Sequence, residues 1–314
     1  MRALITGAAG FIGSTLSERL VVGGWEVRGV DRFTAYYEEA AKRSNIAALA
    51  DQSAFELIEA DLLSADLEPL LADIDVVFHL AGQPGVRLSW ADGFRTYVDL
   101  NINVTQRLLE ASRTRQLKRF VYASSSSVYG NAEHVPTDEQ QPTRPYSPYG
   151  VTKLAGELLC SAYGANFDVP TVSLRYFTVY GPRQRPDMAL HRMIEAALDG
   201  RPFPLFGDGQ QIRDFTYVDD IVRATMLGAT ADVEPATVVN ASGGGSVTVM
   251  HLLDLVAHCV GRPVELDRRE PQPGDVRETG GSIELAHTLL GWVPEVDLAE
   301  GVRRQVEWHR SRRR

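Results

Sequence analysis

Short apolar runs alternate along the first half of the chain with longer stretches in which apolar residues recur at helical spacing. Runs rich in branched and aromatic residues predict strands at residues 3–6, 26–30, 55–60, 76–80, 120–123 and 171–177. Between the first two runs, Ile12, Leu16 and Leu20 recur every four residues. Residues 104–112 and 148–162 are also helix-like. The alternation predicts right-handed βαβ units, and therefore an α/β fold with a doubly wound parallel sheet covered on both faces.

The pattern loosens after about residue 170, where prolines and glycines separate shorter elements. We therefore expect a sheet domain over residues 1–170 and, over residues 171–314, mainly a smaller lobe that faces the substrate, with an interleaved boundary. The length of 314 residues suits this division, since domains commonly hold about 150 residues. No internal repeat or low-complexity linker intervenes, so the two parts should pack around one cleft.

Composition and charge narrow the class of protein. With 44% hydrophobic and 23% charged residues, the chain is typical of a soluble globular protein. A net charge of −9 would repel phosphate backbones, so we expect no nucleic-acid partner. No run approaches the roughly 18 apolar residues of a spanning helix, and no signal-peptide pattern begins the chain, so we expect a cytoplasmic protein without membrane contact. Cys160 and Cys259 lack metal-ligand spacing, which predicts buried packing roles and no metal site.

Gly7, Gly10 and Gly13 follow the first predicted strand directly and begin the first predicted helix. Glycines in this position let a helix N-terminus approach a pyrophosphate, although alone they would also suit an ordinary tight turn. Asp31 ends the second predicted strand 18 residues past Gly13, close to the spacing of a carboxylate that hydrogen-bonds the ribose of a dinucleotide. Because a carboxylate repels the 2′-phosphate of NADP, the pattern favours NAD, although the adjacent Arg32 could hold such a phosphate.

Tyr149 and Lys153 lie four residues apart on a predicted helix, and hence on one face. A nearby cation favours a phenolate and would lower the tyrosine pKa from about 10 toward neutrality, as a base working at physiological pH requires. The serine run 124–127 follows the fifth predicted strand, at the edge of the sheet where active sites form. Alone, the pair would suit a surface helix and the serines a polar turn. Together with the glycine turn and Asp31, they predict an active site.

These motifs resemble the extended short-chain dehydrogenase/reductase family that acts on nucleotide sugars, over essentially the whole chain. The matching segments are residues 6–13, 61–62, 79–82, 124–130, 149–153, 175–177 and 207–220. The resemblance implies a Rossmann-type NAD-binding domain with the catalytic residues over residues 1–170 and a nucleotide-sugar-binding lobe over most of 171–314. It also implies a homodimer formed through a four-helix interface, with candidate helices near residues 95–113 and 148–165.

The resemblance also implies individual roles. Ser125 and Tyr149 would contact the sugar 4-hydroxyl, Lys153 would hold the nicotinamide ribose, and all three would be catalytic. The cofactor contacts would be Gly7, Gly10, Phe11, Ile12, Gly13, Asp31, Asp61, Leu62, Leu80, Ala81, Gly82, Tyr149, Lys153 and Tyr176. The substrate contacts would be Arg87, Ser125, Ser126, Ser127, Tyr149, Thr178, Arg185, Arg192, Arg213 and Asp275.

Arg213 is the expected partner of the sugar-nucleotide diphosphate, because a diphosphate in an acidic protein needs a local cation with fork geometry. A surface salt bridge to Asp214 or Asp208 is the alternative. The sequence departs from the family at Val104, where many relatives carry glycine, and at Gln272, where several carry arginine.

The residues beside the catalytic hydroxyl decide the reaction in this family, whose members share an initial oxidation at C4 by NAD. Sugar 4,6-dehydratases carry an Asp-Glu pair there, and UDP-glucuronate decarboxylases carry a glutamate at the second position. Here both positions are serines, Ser126 and Ser127. Elimination and decarboxylation therefore lack their expected acid/base group, and epimerisation at C4 through a transient 4-keto sugar remains.

Residues 175–189 resemble the UDP-glucuronate 4-epimerases, with Thr178 where glucose epimerases usually have asparagine. Neutral hydroxyls at Ser126, Ser127 and Thr178 could hold the sugar carboxylate, so that its bond to C5 stays out of line with the C4 ketone and carbon dioxide is retained. One of Arg87, Arg185 and Arg192 could assist. The alternatives are a UDP-glucose or UDP-xylose 4-epimerase, a decarboxylase, or an NAD-binding module without catalysis.

Overall fold

The structure, a computed structural model, describes residues 1–271 and 274–313. Its strands are β1 (Arg2–Thr6), β2 (Glu26–Asp31), β3 (Phe55–Glu59), β4 (Val76–His79), β5 (Arg119–Ser125), β6 (Thr171–Tyr176), β7 (Thr178–Tyr180), β8 (Phe203–Phe206), β9 (Ile212–Tyr217), β10 (Thr237–Ala241), β11 (Ser246–Thr248) and β12 (Leu266–Arg269). Its α-helices are α1 (Phe11–Val22), α2 (Glu39–Asn45), α3 (Leu67–Leu70), α4 (Phe94–Tyr97), α5 (Val104–Ser112), α6 (Pro148–Phe167), α7 (Ala189–Asp199), α8 (Val218–Thr230), α9 (Val249–Val260), α10 (Glu284–Leu290) and α11 (Leu298–Ser311). A π-helical segment, Val98–Asn103, joins α4 to α5.

Within the described residues, seven parallel strands form the main sheet in the order β10-β6-β5-β4-β1-β2-β3. The strands predicted from sequence are all present, and their ends agree within two residues. Helix α5 begins and ends as predicted, and α6 extends five residues further, to Phe167. The doubly wound α/β fold is therefore confirmed.

The central strands are buried along their whole length, as parallel strands covered on both faces should be. Alternate side chains enter two separate cores. Leu4, Val77 and Phe120 pack with α5 and α6 on one face, whereas Ile5 and Phe78 belong to the core on the other face. Because all seven strands run in the same direction, their carboxyl ends meet at one edge of the sheet.

The chain beyond residue 170 contributes both to this sheet and to a smaller lobe. Strands β6 and β10 extend the main sheet, whereas β11-β9-β7 and β12-β8 form two small sheets. Helices α7, α9 and α11 pack against one another beside them. The division at residue 170 remains a prediction.

Both cysteines are unpaired. Cys160 is buried, as predicted, whereas Cys259 is half-buried, which corrects the expectation for it. Cys259 lies on α9 near the charges of Arg303 and Arg310, at the edge of the helix packing rather than inside it. None of the described helices combines the length and the apolar character that crossing a membrane requires.

Candidate active site

The glycine turn joins β1 to α1 at the carboxyl edge of the sheet. Gly7 has a φ of 73°, a conformation that favours glycine, and its carbonyl accepts a hydrogen bond of 3.0 Å from the Gly10 N–H. A Cβ on Gly13 would lie 2.1 Å from the Gly7 carbonyl oxygen, so a side chain there would force the turn apart. Because Gly10 supplies no side-chain cap, the first N–H groups of α1 stay available to an anion.

Asp31 lies at the end of β2, and its side chain is buried. Its carboxylate accepts hydrogen bonds from the backbone N–H groups of Phe33, at 2.8 Å, and Ala9, at 3.2 Å. Each oxygen keeps the capacity to accept one more, as ribose hydroxyls would require. The neighbouring Arg32 donates to Asp61 at 2.7 Å, so a carboxylate already matches its charge. This arrangement fits NAD rather than the 2′-phosphate of NADP.

The serine run lies where β5 ends and turns. Ser125 has extended backbone, and its Oγ accepts a hydrogen bond of 3.1 Å from the Ser127 N–H. This bond caps a short 3-10 turn, Ser126–Val128. The Oγ of Ser124 instead donates to Glu157 on α6, at 2.8 Å. The turn thus brings Ser125 and its two successors to the cleft described below.

Helix α6 begins with its cap immediately before the predicted catalytic pair. The Oγ of Ser147 accepts a hydrogen bond of 3.1 Å from the Gly150 N–H, and Pro148 occupies the first helical position. Tyr149 therefore lies in the first turn and Lys153 one turn later. The Tyr149 ring packs edge-on against Tyr97, with ring centres 6.1 Å apart.

Burial raises the pKa of Tyr149 above its ordinary value, against lowering influences from the Ser125 hydroxyl and the Arg185 charge. The prediction of a pKa near neutrality is therefore wrong for this structure, because the buried phenol loses more hydration than its neighbours return. Lys153 is also buried, which lowers its own pKa to about 8. Its Nζ lies 4.8 Å from the centre of the Tyr122 ring.

A buried ion pair fixes α6 against the strands that carry the site. Arg175 on β6 donates to both carboxylate oxygens of Glu157, at 3.0 and 2.5 Å, and both side chains are at most 6% exposed. The Glu157 carboxylate also accepts from Ser124, and Arg175 donates to the Tyr129 hydroxyl at 2.7 Å. Bidentate pairing of this kind fixes the position of α6 relative to the sheet. It therefore also positions Lys153, which lies one turn before Glu157.

The predicted cofactor residues all line one cavity of about 380 Å³ along the carboxyl edge of the sheet. They follow the sheet order, from Asp61 beyond β3, through Asp31 and the glycine turn, to Gly82 beyond β4 and Tyr176 on β6. Of the predicted substrate contacts, the cavity is lined by Ser125, Ser126, Ser127, Tyr149, Thr178 and Arg185. Among the described lining residues, Asp31 and Asp61 are the only acids, and both belong to the opposite end from Tyr149.

The remaining predicted substrate contacts form a separate group, which we call the arginine group: Arg87, Arg192, Arg213 and Asp275. Arg87 donates to Asp275 at 3.0 Å and lies 4.3 Å from the centre of the Phe206 ring. Burial lowers the pKa of Arg213, which the charge of Asp275 opposes. Burial and the charge of Arg87 together lower the pKa of Arg192. The group is thus brought together, but none of its members lines the described cavity.

The guanidinium of Arg213 donates to the backbone carbonyls of Ile212, Val276 and Arg277, at 2.6 to 3.2 Å. It forms no described bridge to Asp214 or Asp208, which was the alternative to a role in diphosphate binding. Gln272, the departure from the family pattern nearby, lies outside the described residues, whereas Val104 lines the cavity.

Sequence reasoning missed a contact that crosses the cleft. Arg185 donates twice to Asp187, at 3.0 Å each, and the Tyr36 hydroxyl donates to the same carboxylate at 3.1 Å. Tyr36 lies in the loop after β2 and lines the cavity, where its hydroxyl faces Gly85. The only local signal was a pair of adjacent tyrosines, Tyr36 and Tyr37, in the loop that follows β2.

NAD fits the residues present in this cavity. The glycine turn leaves a cradle that a Cβ on Gly13 would fill, at the end of α1 where a pyrophosphate is stabilised. Asp31 supplies acceptors for a ribose, and Lys153 a buried ammonium beside Gly82. These features define a dinucleotide-dependent enzyme of the Rossmann class.

Proteins of similar sequence and structure belong to the same class of enzyme. The chain belongs to the NAD dependent epimerase/dehydratase family, whose profile matches residues 3–242. It is 43% identical to the uncharacterized UDP-glucose epimerase YtcB of Bacillus subtilis, over 98% of both chains. It is 38% identical to a probable UDP-glucuronate 4-epimerase of Rhizobium meliloti, over 98% of this chain and 97% of that protein. The crystal structure of UDP-glucuronic acid 4-epimerase from Bacillus cereus with UDP-glucuronic acid and NAD superposes with a TM-score of 0.96, at 43% identity over 99% of each chain.

Proposed function

We propose that this chain is an NAD-dependent UDP-sugar 4-epimerase whose substrate pair is UDP-glucuronate and UDP-galacturonate. The observation that carries the proposal is the set of side chains at the Tyr149 end of the cavity. Ser126, Ser127 and Thr178 supply hydroxyls there, and Arg185 supplies a guanidinium. Among the described lining residues, no carboxyl lies at this end to serve as the acid or base of an elimination.

Tyr149 is the base for the 4-hydroxyl of the sugar, and it accepts the proton as a phenolate. Burial alone opposes that form, whereas the charge of Arg185 favours it, and the positively charged nicotinamide ring of bound NAD would favour it further. Its phenol interacts with Ser125, whose hydroxyl also contacts the turn at the end of β5 and so holds the sugar oxygen in place. When bound, NAD supplies a reversible acceptor for the hydrogen and electron pair at C4. Tyr149 keeps the 4-hydroxyl proton while the sugar is a ketone, and returns it when the opposite face of C4 has been reduced.

The hydroxyls of Ser126, Ser127 and Thr178 explain how the 4-keto sugar keeps its carboxylate. A β-keto acid loses carbon dioxide when the bond between C5 and the carboxylate lines up with the ketone π system. Hydrogen bonds from Ser126, Ser127 and Thr178 hold that carboxylate without donating a strongly acidic proton. Fixed, neutral donors therefore favour hydrogen return to C4 over decarboxylation.

The arginine group is proposed to bind the diphosphate of the substrate. Arg87 is paired with Asp275, whose charge also acts on the guanidinium of Arg213, and both arginines carry fork-shaped cations. Arg192 adds a third charge, whose pKa is lowered by burial and by Arg87. A cluster of like charges is stabilised when an anion lies among them. Phe206, packed under Arg87, supplies an aromatic surface beside it.

A UDP-glucose 4-epimerase is the second candidate, and one contact favours it. Asp187 pairs with Arg185 through two hydrogen bonds, so the charge of this arginine is already compensated. A compensated arginine attracts a sugar carboxylate less strongly than a free one and accommodates a neutral sugar. The ratio of UDP-glucuronate to UDP-glucose activity therefore depends on whether the hydrogen bonds between Arg185 and Asp187 break when substrate binds.

The homodimer is also part of the proposal. On α6, Val151 and Leu158 lie two turns apart on one face and are 48% and 61% exposed. Phe94 on α4 adds a further exposed ring. Pairing the helices near residues 95–113 and 148–165 with their copies would cover these apolar side chains in a four-helix interface. Leu158→Glu should yield monomers in light scattering, where the wild-type chain gives dimers; a wild-type monomer would refute the interface.

We place the enzyme in the cytoplasm. The unpaired thiols of Cys160 and Cys259 suit a reducing compartment. NAD and nucleotide sugars are the small molecules for which its cavity and arginine group are arranged.

Incubation of the purified protein with UDP-glucuronate tests the function, with UDP-glucose in a parallel reaction. We expect UDP-galacturonate, resolved by chromatography, at a higher kcat/KM than that of UDP-glucose interconversion. Thr178→Val, Ser126→Ala and Ser127→Ala should lower the UDP-glucuronate activity and release a pentose nucleotide as a side product. Conversion of UDP-glucose alone would establish the second candidate, and a pentose nucleotide from the wild-type protein would refute the hydroxyl argument.

A further inference from the structure

A cluster of potential metal ligands lies outside the cleft, between α7 and α11. His191 and Glu195 are one turn apart on α7, and His309 faces them from α11. One ligand atom from each of the three lies within 4.8 Å of the other two. The two imidazole rings meet edge to face, with centres 4.5 Å apart. None of the three residues takes part in the proposed reaction.

The hydrogen bond of His191 leaves one of its ring nitrogens available. Its Nδ1 lies 2.7 Å from the carbonyl oxygen of Gln184. A carbonyl can only accept a hydrogen bond, so Nδ1 carries the proton and Nε2 presents a lone pair. Histidines that bind metals are commonly oriented in this way, with the second ring N–H donated to a backbone carbonyl.

His309 supplies the second observation. Its side chain is 2% exposed, and its Nδ1 lies 2.5 Å from Glu195 Oε1. Its Nε2 is fully buried and has no hydrogen-bond partner in the described part of the chain. Buried polar side-chain atoms nearly always have partners, so an unpartnered nitrogen on an imidazole that also contacts Glu195 and packs against the His191 ring points to a ligand.

We propose that His191, Glu195 and His309 form a binding site for a divalent transition metal of the zinc class. Two imidazoles and one carboxylate suit Zn²⁺, whose bonds to nitrogen and oxygen are about 2.0–2.2 Å long. A tetrahedral site brings its ligand atoms to about 3.3 Å from one another. Metal binding would therefore draw the three side chains closer together and replace the hydrogen bond between Glu195 and His309 with bonds to the metal. Because His191 and Glu195 are only half-buried, solvent can supply the fourth ligand.

Such a site would connect two parts of the smaller lobe. Helix α7 begins immediately after Met188, which lines the cavity, and it carries Arg192 of the arginine group. Helix α11 is the last helix of the described chain. The metal would therefore tie α7 to the C-terminal helix and raise the stability of the folded chain by mass action.

Arg313 competes with the metal for Glu195. It donates to Glu195 Oε2 at 2.5 Å, and it also forms an ion pair with Asp199 at 2.7 Å. The second carboxylate allows Arg313 to keep a partner when Glu195 turns toward a metal. Removing the guanidinium should therefore strengthen metal binding, an effect that a cluster with a purely structural role would not show.

Cobalt provides the first readout, because Co²⁺ in a four-coordinate site of nitrogen and oxygen ligands absorbs visible light much more strongly than hydrated Co²⁺ does. The full-length protein, stripped with a chelator, should develop this absorption with one Co²⁺ per chain, and Zn²⁺ should displace it. Zn²⁺ should also raise the thermal midpoint. His191→Gln, Glu195→Gln and His309→Gln should each weaken binding by at least about tenfold. Arg313→Gln should tighten it.

His258→Gln is the matched control, since His258 is exposed on the neighbouring helix α9 and should leave binding unchanged. Circular dichroism confirms that each variant is folded, and if His309→Gln is not, the opposite effects of His191→Gln and Arg313→Gln decide the question. Absence of the cobalt absorption in the wild-type protein overturns the proposal. Equal affinity in the wild-type protein and the ligand variants does so as well, because the metal then binds elsewhere.

Discussion

The cofactor side of the cleft and the arginine group are built in different ways. On the cofactor side, the backbone does most of the work: Gly7 and Gly13 shape a turn, and Asp31 is held by two backbone N–H groups. In the arginine group, Arg87 and Asp275 come from segments 188 residues apart and position each other through their charges. Adding one methyl group should therefore disrupt ligand binding on the cofactor side. In the arginine group, changing one charge or its geometry should have that effect.

The largest effect should come from Tyr149, the proposed base. Tyr149→Phe removes the proposed base and keeps the ring that packs against Tyr97. Turnover should fall by about 10²–10⁴-fold, measured by product formation. Binding of NAD and of UDP, measured by calorimetry, should stay within a factor of two or so of the wild type, and Tyr146→Phe, at an exposed position nearby, is the control. Undiminished turnover in Tyr149→Phe would show that another group is the base.

Gly13→Ala should weaken cofactor binding without affecting substrate binding. The added methyl group meets the Gly7 carbonyl, and relief of that contact should cost about 1–3 kcal/mol in the free energy of unfolding. NAD affinity should fall with it, whereas UDP binding should persist. Gly245→Ala is the matched control, because a Cβ there meets nothing within 4 Å. Urea denaturation and NAD titration provide the measurements, and unchanged NAD affinity would contradict a cradle built by the turn.

Arg213→Lys should affect only the substrate side. A lysine keeps the charge but loses the fork that now donates to backbone carbonyls and is proposed to meet a diphosphate. UDP should bind about tenfold more weakly, or about 1.4 kcal/mol, with NAD affinity unchanged. Arg95→Lys is the control, since Arg95 is 92% exposed. Equal UDP affinity in both variants would remove Arg213 from the substrate site.

The smallest effect is a pH dependence on the cofactor side. Burial lowers the pKa of Lys153 to about 8, below the 10.5 of an exposed lysine. Between these values the unfolded chain binds more protons than the folded one, so the free energy of unfolding should rise with pH. From pH 7.5 to 9 the rise should be about 1 kcal/mol in urea denaturation. Lys153→Met should remove it and the exposed Lys118→Gln should not; a fall in stability would contradict the buried ammonium.

The fold and the cofactor side could be predicted because short-range patterns determine them. The alternation of apolar runs and helical patterns predicts parallel βαβ units, and Gly13 and Asp31 lie 18 residues apart near the ends of the adjacent strands β1 and β2. Long-range contacts were not predictable. Asp187 and Tyr36 are in contact although 151 residues separate them in the sequence, and 114 residues separate His309 from Glu195. No local sequence pattern predicts either contact.

The predicted pKa of Tyr149 was wrong for a related reason. The spacing of Tyr149 and Lys153 shows that they share a helix face, but not how deeply that face is buried. Burial is a property of the packed fold, and here it raises the pKa of the phenol and lowers that of the ammonium. The placement of Arg192 and Arg213 outside the cavity likewise depends on the smaller lobe, whose short elements carry weak sequence signals.

Incubation of UDP-glucuronate deuterated at C4 with the enzyme, in ordinary water, tests the central claim most directly. If C4 is oxidised and reduced again within one closed cleft, NMR should show UDP-galacturonate with deuterium still at C4 and no carbon dioxide released. Protium at C4 of the product, a pentose nucleotide, or recovery of unchanged UDP-glucuronate would contradict the account.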